Sequence, residues 1–149
     1  MPEKRTLERA RADARAGKSA STQAGEFVRE EIEHLREGKH GARSTKQAIA
    51  IGLSKARRAG VKLRAPEPGT SSRATRRKAE RDLEAGGRGR RRTSRRRSRA
   101  VGRVLKHEGR SAGSKKALSR QAKTSARRRG AKARSSAARK AARTRARSR

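Results

Sequence analysis

The chain has 149 residues, 47 of them Lys or Arg and 13 Asp or Glu, for a formal charge of +34. Apolar residues make up 29%, Phe27 is the one aromatic residue, and Cys, Trp and Tyr are missing. This composition cannot offset chain entropy with a core along the whole length. It also excludes disulfides, thiol catalysis and cysteine zinc sites, and with no apolar run longer than 48–51 it holds neither a membrane span nor a signal-peptide apolar region.

The periodicity predicts a mostly α protein. A first helix runs from Glu3 to Ala16 on good helix formers, stopped by Gly17. A second starts near Ser21 or Thr22 and ends at Glu37, before Gly38. Val28, Ile32 and Leu35 repeat at i, i+4 and i+7, with Phe27 and Ala24 beside them. Glu26, Glu30, Glu31 and Glu33 surround that stripe, and the expected role of these acids is surface pairing with Arg29, Arg36 and Lys39. The third helix opens with a capping box, Ser44-Thr45-Lys46-Gln47, and Gly60 follows it. Its stripe is Ile49, Leu53 and Ala56. Phe27, Val28, Ile32, Leu35, Ile49 and Leu53 are therefore the expected core of a helical hairpin, with Val61 and Leu63 folding back over it.

Residues 1–64 form this N-terminal helical module, and residues 65–72, with two Pro, a Gly and three hydroxyl residues, form a linker. Beyond it the chain repeats itself. Ala10, Asp13, Ala16 and Gly17 recur as Ala79, Asp82, Ala85 and Gly86, and Leu35 recurs as Leu105. Glu37-Gly38-Lys39 returns as Glu108-Gly109-Arg110, and Ala42, Ser44 and Lys46 as Ala112, Ser114 and Lys116. Residues 73–130 thus read as a degenerate copy of a three-helix plan that keeps loops, caps and charge but loses the core. Ile49 aligns with Ser119 and Leu53 with Lys123. Residues 131–149 are Ala, Arg, Lys, Ser and Thr, and the expectation is a basic tail that is disordered when free and partly helical on a polyanion.

Charge is divided unevenly. Residues 1–64 hold 16 cations against eight acids, whereas residues 86–149 hold 26 against the single Glu108. Nucleic acid is the expected partner of such a segment. An anionic membrane would require large apolar side chains on one helix face, and this half has almost only Ala. Candidate phosphate contacts are Arg88, Arg90, Arg91, Arg92, Arg95, Arg96, Arg97 and Arg99 in the densest run, and then Lys115, Lys116, Arg127, Arg128, Arg129, Arg139, Lys140 and Arg143. Guanidinium forks suit phosphate because they bind it in bidentate fashion and stay charged.

The run Gly17–Ile32, with Ser19-Ala20-Ser21-Thr22-Gln23-Ala24 and Glu26-Phe27-Val28, resembles an uncharacterised family of small basic bacterial proteins. So does the run from Arg36 through Gly38-Lys39-His40-Gly41-Ala42-Arg43-Ser44-Thr45-Lys46-Gln47-Ala48-Ile49-Ala50-Ile51 to Val61. Members are usually labelled as domains of unknown function or as DNA-binding proteins, so the resemblance implies a bacterial source and carries over no active site. In composition the tail is similar to the arms of linker-histone-like bacterial proteins.

No catalytic residue, cofactor or metal is expected. His34, His40 and His107 lack a fourth ligand, and the glutamates lack a shielded pocket. The glycines at 86, 87 and 89 follow no strand and read as a flexible joint. A helix-turn-helix reading of residues 22–60 would expose Lys46, Gln47, Ser54, Lys55 and Arg58 to bases. The expected function is non-sequence-specific binding, neutralisation and compaction of duplex DNA by a cytoplasmic, nucleoid-associated, linker-histone-like protein. An RNA- or ribosome-associated role, such as an assembly chaperone, is the alternative, and any self-association would run through the hairpin.

Overall fold

The computed structural model describes residues 2–88 and 94–147. Among these residues the regular structure is helical: α1 (Lys4–Arg15), α2 (Ala20–Glu37), α3 (Thr45–Arg58), α4 (Arg73–Gly87), α5 (Arg95–His107), α6 (Lys115–Arg128) and α7 (Gly130–Arg147), with one 3-10 turn at Ser111–Gly113. The chain forms two compact units, Met1–Gly113 and Ser114–Arg149.

Local chemistry sets the helix ends. Ser19, not Ser21 or Thr22, caps α2 by accepting from Thr22 N–H, so the helix starts before the predicted position. Ser44 accepts from Gln47 N–H at 3.2 Å, and the Gln47 side chain returns the bond to Arg43 N–H at 2.8 Å, one residue upstream of the expected partner. Gly17, Gly38 and Gly60 take φ values of +68°, +75° and +96° and end the first three helices.

Within the first unit α2 packs between α1 and α3. Ala10, Ala24, Phe27, Ala56 and Val61 form one buried cluster, flanked by Leu7, Ala20, Leu53 and Leu63. Val61 and Leu63 thus return over the hairpin as expected. The Arg57 side chain holds that return, donating from Nε to the Leu63 carbonyl and from Nη2 to the Arg64 carbonyl. Burial pushes its pKa down from the usual arginine value, against the opposing pull of Asp82. At the other end of the hairpin the 3-10 turn closes over Leu35. Arg36 Nε donates to the Gly113 carbonyl, and Thr45 Oγ1 to the Ala112 carbonyl.

The seam differs from the predicted one. Phe27, Ile32 and Leu35 are buried, whereas Val28, Ile49 and Leu53 are half-buried. On α3 the inward face is Thr45, Ala48, Gly52 and Ala56, a line of small residues one or more turns apart. Gly52 brings the two backbones together. A Cβ there would stand 2.7 Å from Val28 Cα and 3.0 Å from the Phe27 carbonyl oxygen. Ile49 and Leu53 lie to either side, because a close crossing leaves no room for branched side chains on the line of contact.

The glutamates are also not all on the surface. Glu30 and Glu31 are 3% and 1% exposed, and Lys55 reaches both from α3, 3.4 Å from Glu30 Oε1 and 2.6 Å from Glu31 Oε2. Two of the bases' presumed readers are therefore occupied. Lys55 serves these carboxylates, and Ser54 Oγ donates to Asp82 Oδ2 on α4 at 2.7 Å. Nor is Gly86 a flexible joint. It lies within α4 so close to the end of α3 that a Cβ would sit 2.1 Å from the Arg57 carbonyl oxygen.

In the second unit α6, capped by Ser114, joins α7 through Arg129 and Gly130, the latter at φ +73°. Neither helix buries a residue. The expected disordered tail is instead α7, helical from Gly130 to Arg147. Its sequence, GAKARSSAARKAARTRAR, explains why. Ala, the best helix former, alternates with the cations, so like charges meet at i,i+4 only at Arg139/Arg143 and Arg143/Arg147. Each such pair costs only about 0.2–0.5 kcal/mol.

Candidate nucleic-acid interface

Helix α5 buries no residue and packs against no other helix among the described residues. Its C-terminal end is attached instead through backbone, Gly41 N–H to the Leu105 carbonyl at 2.8 Å and Ala42 N–H to the Gly109 carbonyl at 3.0 Å. Arg96, Arg99, Arg103 and Lys106 follow one another at i, i+3, i+7 and i+10, and with Gly102 they line a shallow groove. Val101 and Val104, 53% and 61% exposed, lie on the other side of the helix. The stripe rises about 15 Å, a length over which duplex DNA carries roughly nine phosphates, so each of the four cations can meet its own.

Lys106 also borders a second groove, between residues 38–41 and 108–110, to which Lys39, His40, Glu108 and Arg110 contribute. The Arg110 guanidinium reaches across to Gly38, where a Cβ would stand 2.8 Å from its Nη1. Lys39 is paired with Glu37 at 2.9 Å and Glu3 at 3.1 Å, and hydrogen bonds to these two carboxylates, Glu37 first, hold its pKa above the usual lysine value. The cationic stripe of α5 and the loop groove are therefore continuous through Lys106.

Of the sequence-predicted contacts, Arg95, Arg96, Arg97 and Arg99 stand exposed on α5, and Arg88 is exposed at the end of α4. Arg90, Arg91 and Arg92 lie outside the described residues. In the second unit Lys115 and Lys116 occupy the first turn of α6, Arg127 and Arg128 its last, and Arg129 the position after it, all exposed. Arg139, Lys140 and Arg143 are exposed on α7. Two lysines at a helix N-terminus oppose its dipole by about 0.3–1 kcal/mol each. An approaching anion reverses that cost. Sequence reading missed Arg103, Lys106 and Arg110, although the helical spacing from Arg96 to Lys106 was there to be read.

The ion pairs explain the excess. Arg9 and Arg29 pair with Glu26, Arg29 with Glu33, and Arg76 with Glu80. Among the described residues, Arg145 set aside, no cation of α5, α6 or α7 has a carboxylate partner. The acids are used in the first four helices, and the later ones present their charge to solvent.

The molecule is thus a helical protein with a small acid-bearing core and exposed cationic helices. Residues 11–66, which contain α2, α3 and the last five residues of α1, match a family of unknown function, DUF6496. No curated protein and no solved structure matches the chain. No described helix is long and apolar enough to cross a membrane.

Proposed function

We propose that this protein binds duplex DNA through its phosphates, without base readout, and neutralises and compacts it as a nucleoid-associated, linker-histone-like protein. The observation that carries this reading is the exposure of the cations on α5 in the first unit and on α6 and α7 in the second, none of which, Arg145 set aside, has a carboxylate partner among the described residues. Such a surface has no folding benefit, since it raises self-repulsion, and a polyanion relieves it. Weak base readout follows from chemistry. Phe27 is buried, so no aromatic is left to stack on a base, and Ser54 and Lys55 are engaged within the fold.

The same reading includes a duplicated plan. Helix starts recur at Lys4 and Arg73, and at Thr45 and Lys115, with Ser44 and Ser114 as caps. In the second copy the packing residues give way to polar and cationic ones, Ile49 to Ser119 and Leu53 to Lys123, which converts a folding repeat into a binding one.

The test is a gel-shift competition at near-physiological salt between random-sequence duplex DNA and tRNA or rRNA. Duplex DNA should compete at least as well as RNA, with less than about tenfold variation among duplexes of equal length. RNA winning by about tenfold or more would replace this reading with an RNA- or ribosome-associated one.

A further inference from the structure

We propose that Glu31, His34 and His40 form a binding site for a divalent transition-metal ion of the zinc class. One ligand atom from each of these three residues lies within 4.8 Å of the other two. Ligand atoms around tetrahedral zinc stand about 3.4 Å apart, given bonds of roughly 2.0–2.2 Å, so side-chain adjustment alone closes the set. The fold supplies the placement. Glu31 and His34 are one turn apart on α2, and the left-handed turn at Gly38 returns His40 against them, the two imidazoles edge to face with centroids 5.9 Å apart.

The surroundings match a ligand set more closely than a surface cluster. Glu31 is 1% exposed and its Oε1 lies 2.6 Å from His40 Nε2. Its Oε2 is held by the Lys55 ammonium at 2.6 Å, which leaves Oε1 to face the two imidazoles. His40 Nδ1 lies 3.0 Å from the Gly41 carbonyl, and donation there leaves Nε2 with a lone pair for a metal. Glu3 Oε1, 2.9 Å from His34 Nε2, is placed either to orient that ring or to join as a fourth ligand. Charge agrees: among the described residues the four carboxylates of Glu3, Glu30, Glu31 and Glu37 are linked by contacts to two ammonium groups, Lys39 and Lys55.

The test uses the full-length, nucleic-acid-free protein, stripped with a chelator, and Co2+ as the spectroscopic probe. One equivalent should give the visible d–d bands of a four-coordinate ion, and Zn2+ should displace it. His34→Gln and His40→Gln should each weaken binding by more than about tenfold, the lower bound even for a lost supporting hydrogen bond. His107→Gln, a change far from the cluster in sequence, should leave it intact. Histidine ring NMR of the unmutated protein provides a reading that does not depend on how the variants fold: Zn2+ should shift the rings of His34 and His40 and not that of His107. Absence of a saturable band at one equivalent in folded protein, unmoved His34 and His40 rings, or a band that survives in the His34→Gln/His40→Gln double variant would each overturn the site and leave simple ion pairs.

Discussion

Two glycine-to-alanine substitutions should have opposite effects on stability. Gly25 and Gly52 both lie inside helices, and replacing an interior helical Gly by Ala gains about 1 kcal/mol from propensity alone. At Gly25 the new methyl meets nothing within 4 Å, so that gain stands. At Gly52 it would stand 2.7 Å from Val28 Cα, 2.9 Å from Val28 N and 3.0 Å from the Phe27 carbonyl, all backbone. Backbone atoms cannot rotate away as a side chain would, so α2 and α3 must separate along their whole contact. Overpacking costs about 1–3 kcal/mol before loosening of Phe27 and Ala56 is counted. The net expectation is a loss of roughly 1–2 kcal/mol for Gly52→Ala and a gain of up to about 1 kcal/mol for Gly25→Ala. At about 4 °C per kcal/mol, the two melting temperatures should differ by roughly 8–12 °C. Thermal melts followed by circular dichroism measure this directly. If both variants rise together, the helices do not cross at Gly52 and the described seam is wrong.

Other consequences are equally open to measurement. Arg96, Arg99, Arg103 and Lys106 all changed to Gln should make the slope of log K against log salt shallower by about 3–4 from a starting value on the order of −9, at unchanged helicity; an unchanged slope would remove α5 from the interface. Leu35→Ala, at a fully buried site, should cost about 2–5 kcal/mol in a urea titration while DNA affinity below the transition stays within a few-fold, because the cations lie elsewhere. Hydrogen bonds from His34 and then Lys39 hold the Glu3 carboxyl below its ordinary value of 4.5. Its folded pKa is the lower one, so its stabilising contribution is present above about 4.5 and is lost as pH falls through the folded value. Glu3→Gln should flatten the acid limb of melting temperature against pH, and a limb that keeps its slope would show that Glu3 does not tether α1.

Much of this fold could be read from residue order because local chemistry decided it. The Ser caps at Ser19, Ser44, Ser72 and Ser114 and the left-handed glycines act within one turn, so helix ends fall where those residues lie. The seam was harder to read. Ala24, Phe27, Glu31 and Leu35 share one face of α2, yet an apolar template passes over Glu31 in favour of Val28 and Ile32. Its burial depends on Lys55 and His40, partners that only the tertiary fold brings near. The helix of the tail follows from the spacing of its charges, which total charge does not reveal. The cationic stripe on α5 is written in the helical spacing of Arg96, Arg99, Arg103 and Lys106, the last two of which lie beyond the densest Arg run.

The attachment of α5 has a consequence for how the molecule comes apart. Two backbone hydrogen bonds at one end, from Gly41 and Ala42, hold a helix that contributes no residue to the core. Unwinding it exposes little new apolar surface, chiefly that of the half-buried Leu105, so it opens as its own small unit, far below the free energy of global unfolding. Its amides should exchange with solvent on a different clock from those of α2 and α3. A phosphate backbone lying along the stripe would then tax that opening, so binding would be read as slowed exchange in α5, with the hairpin's protection unchanged.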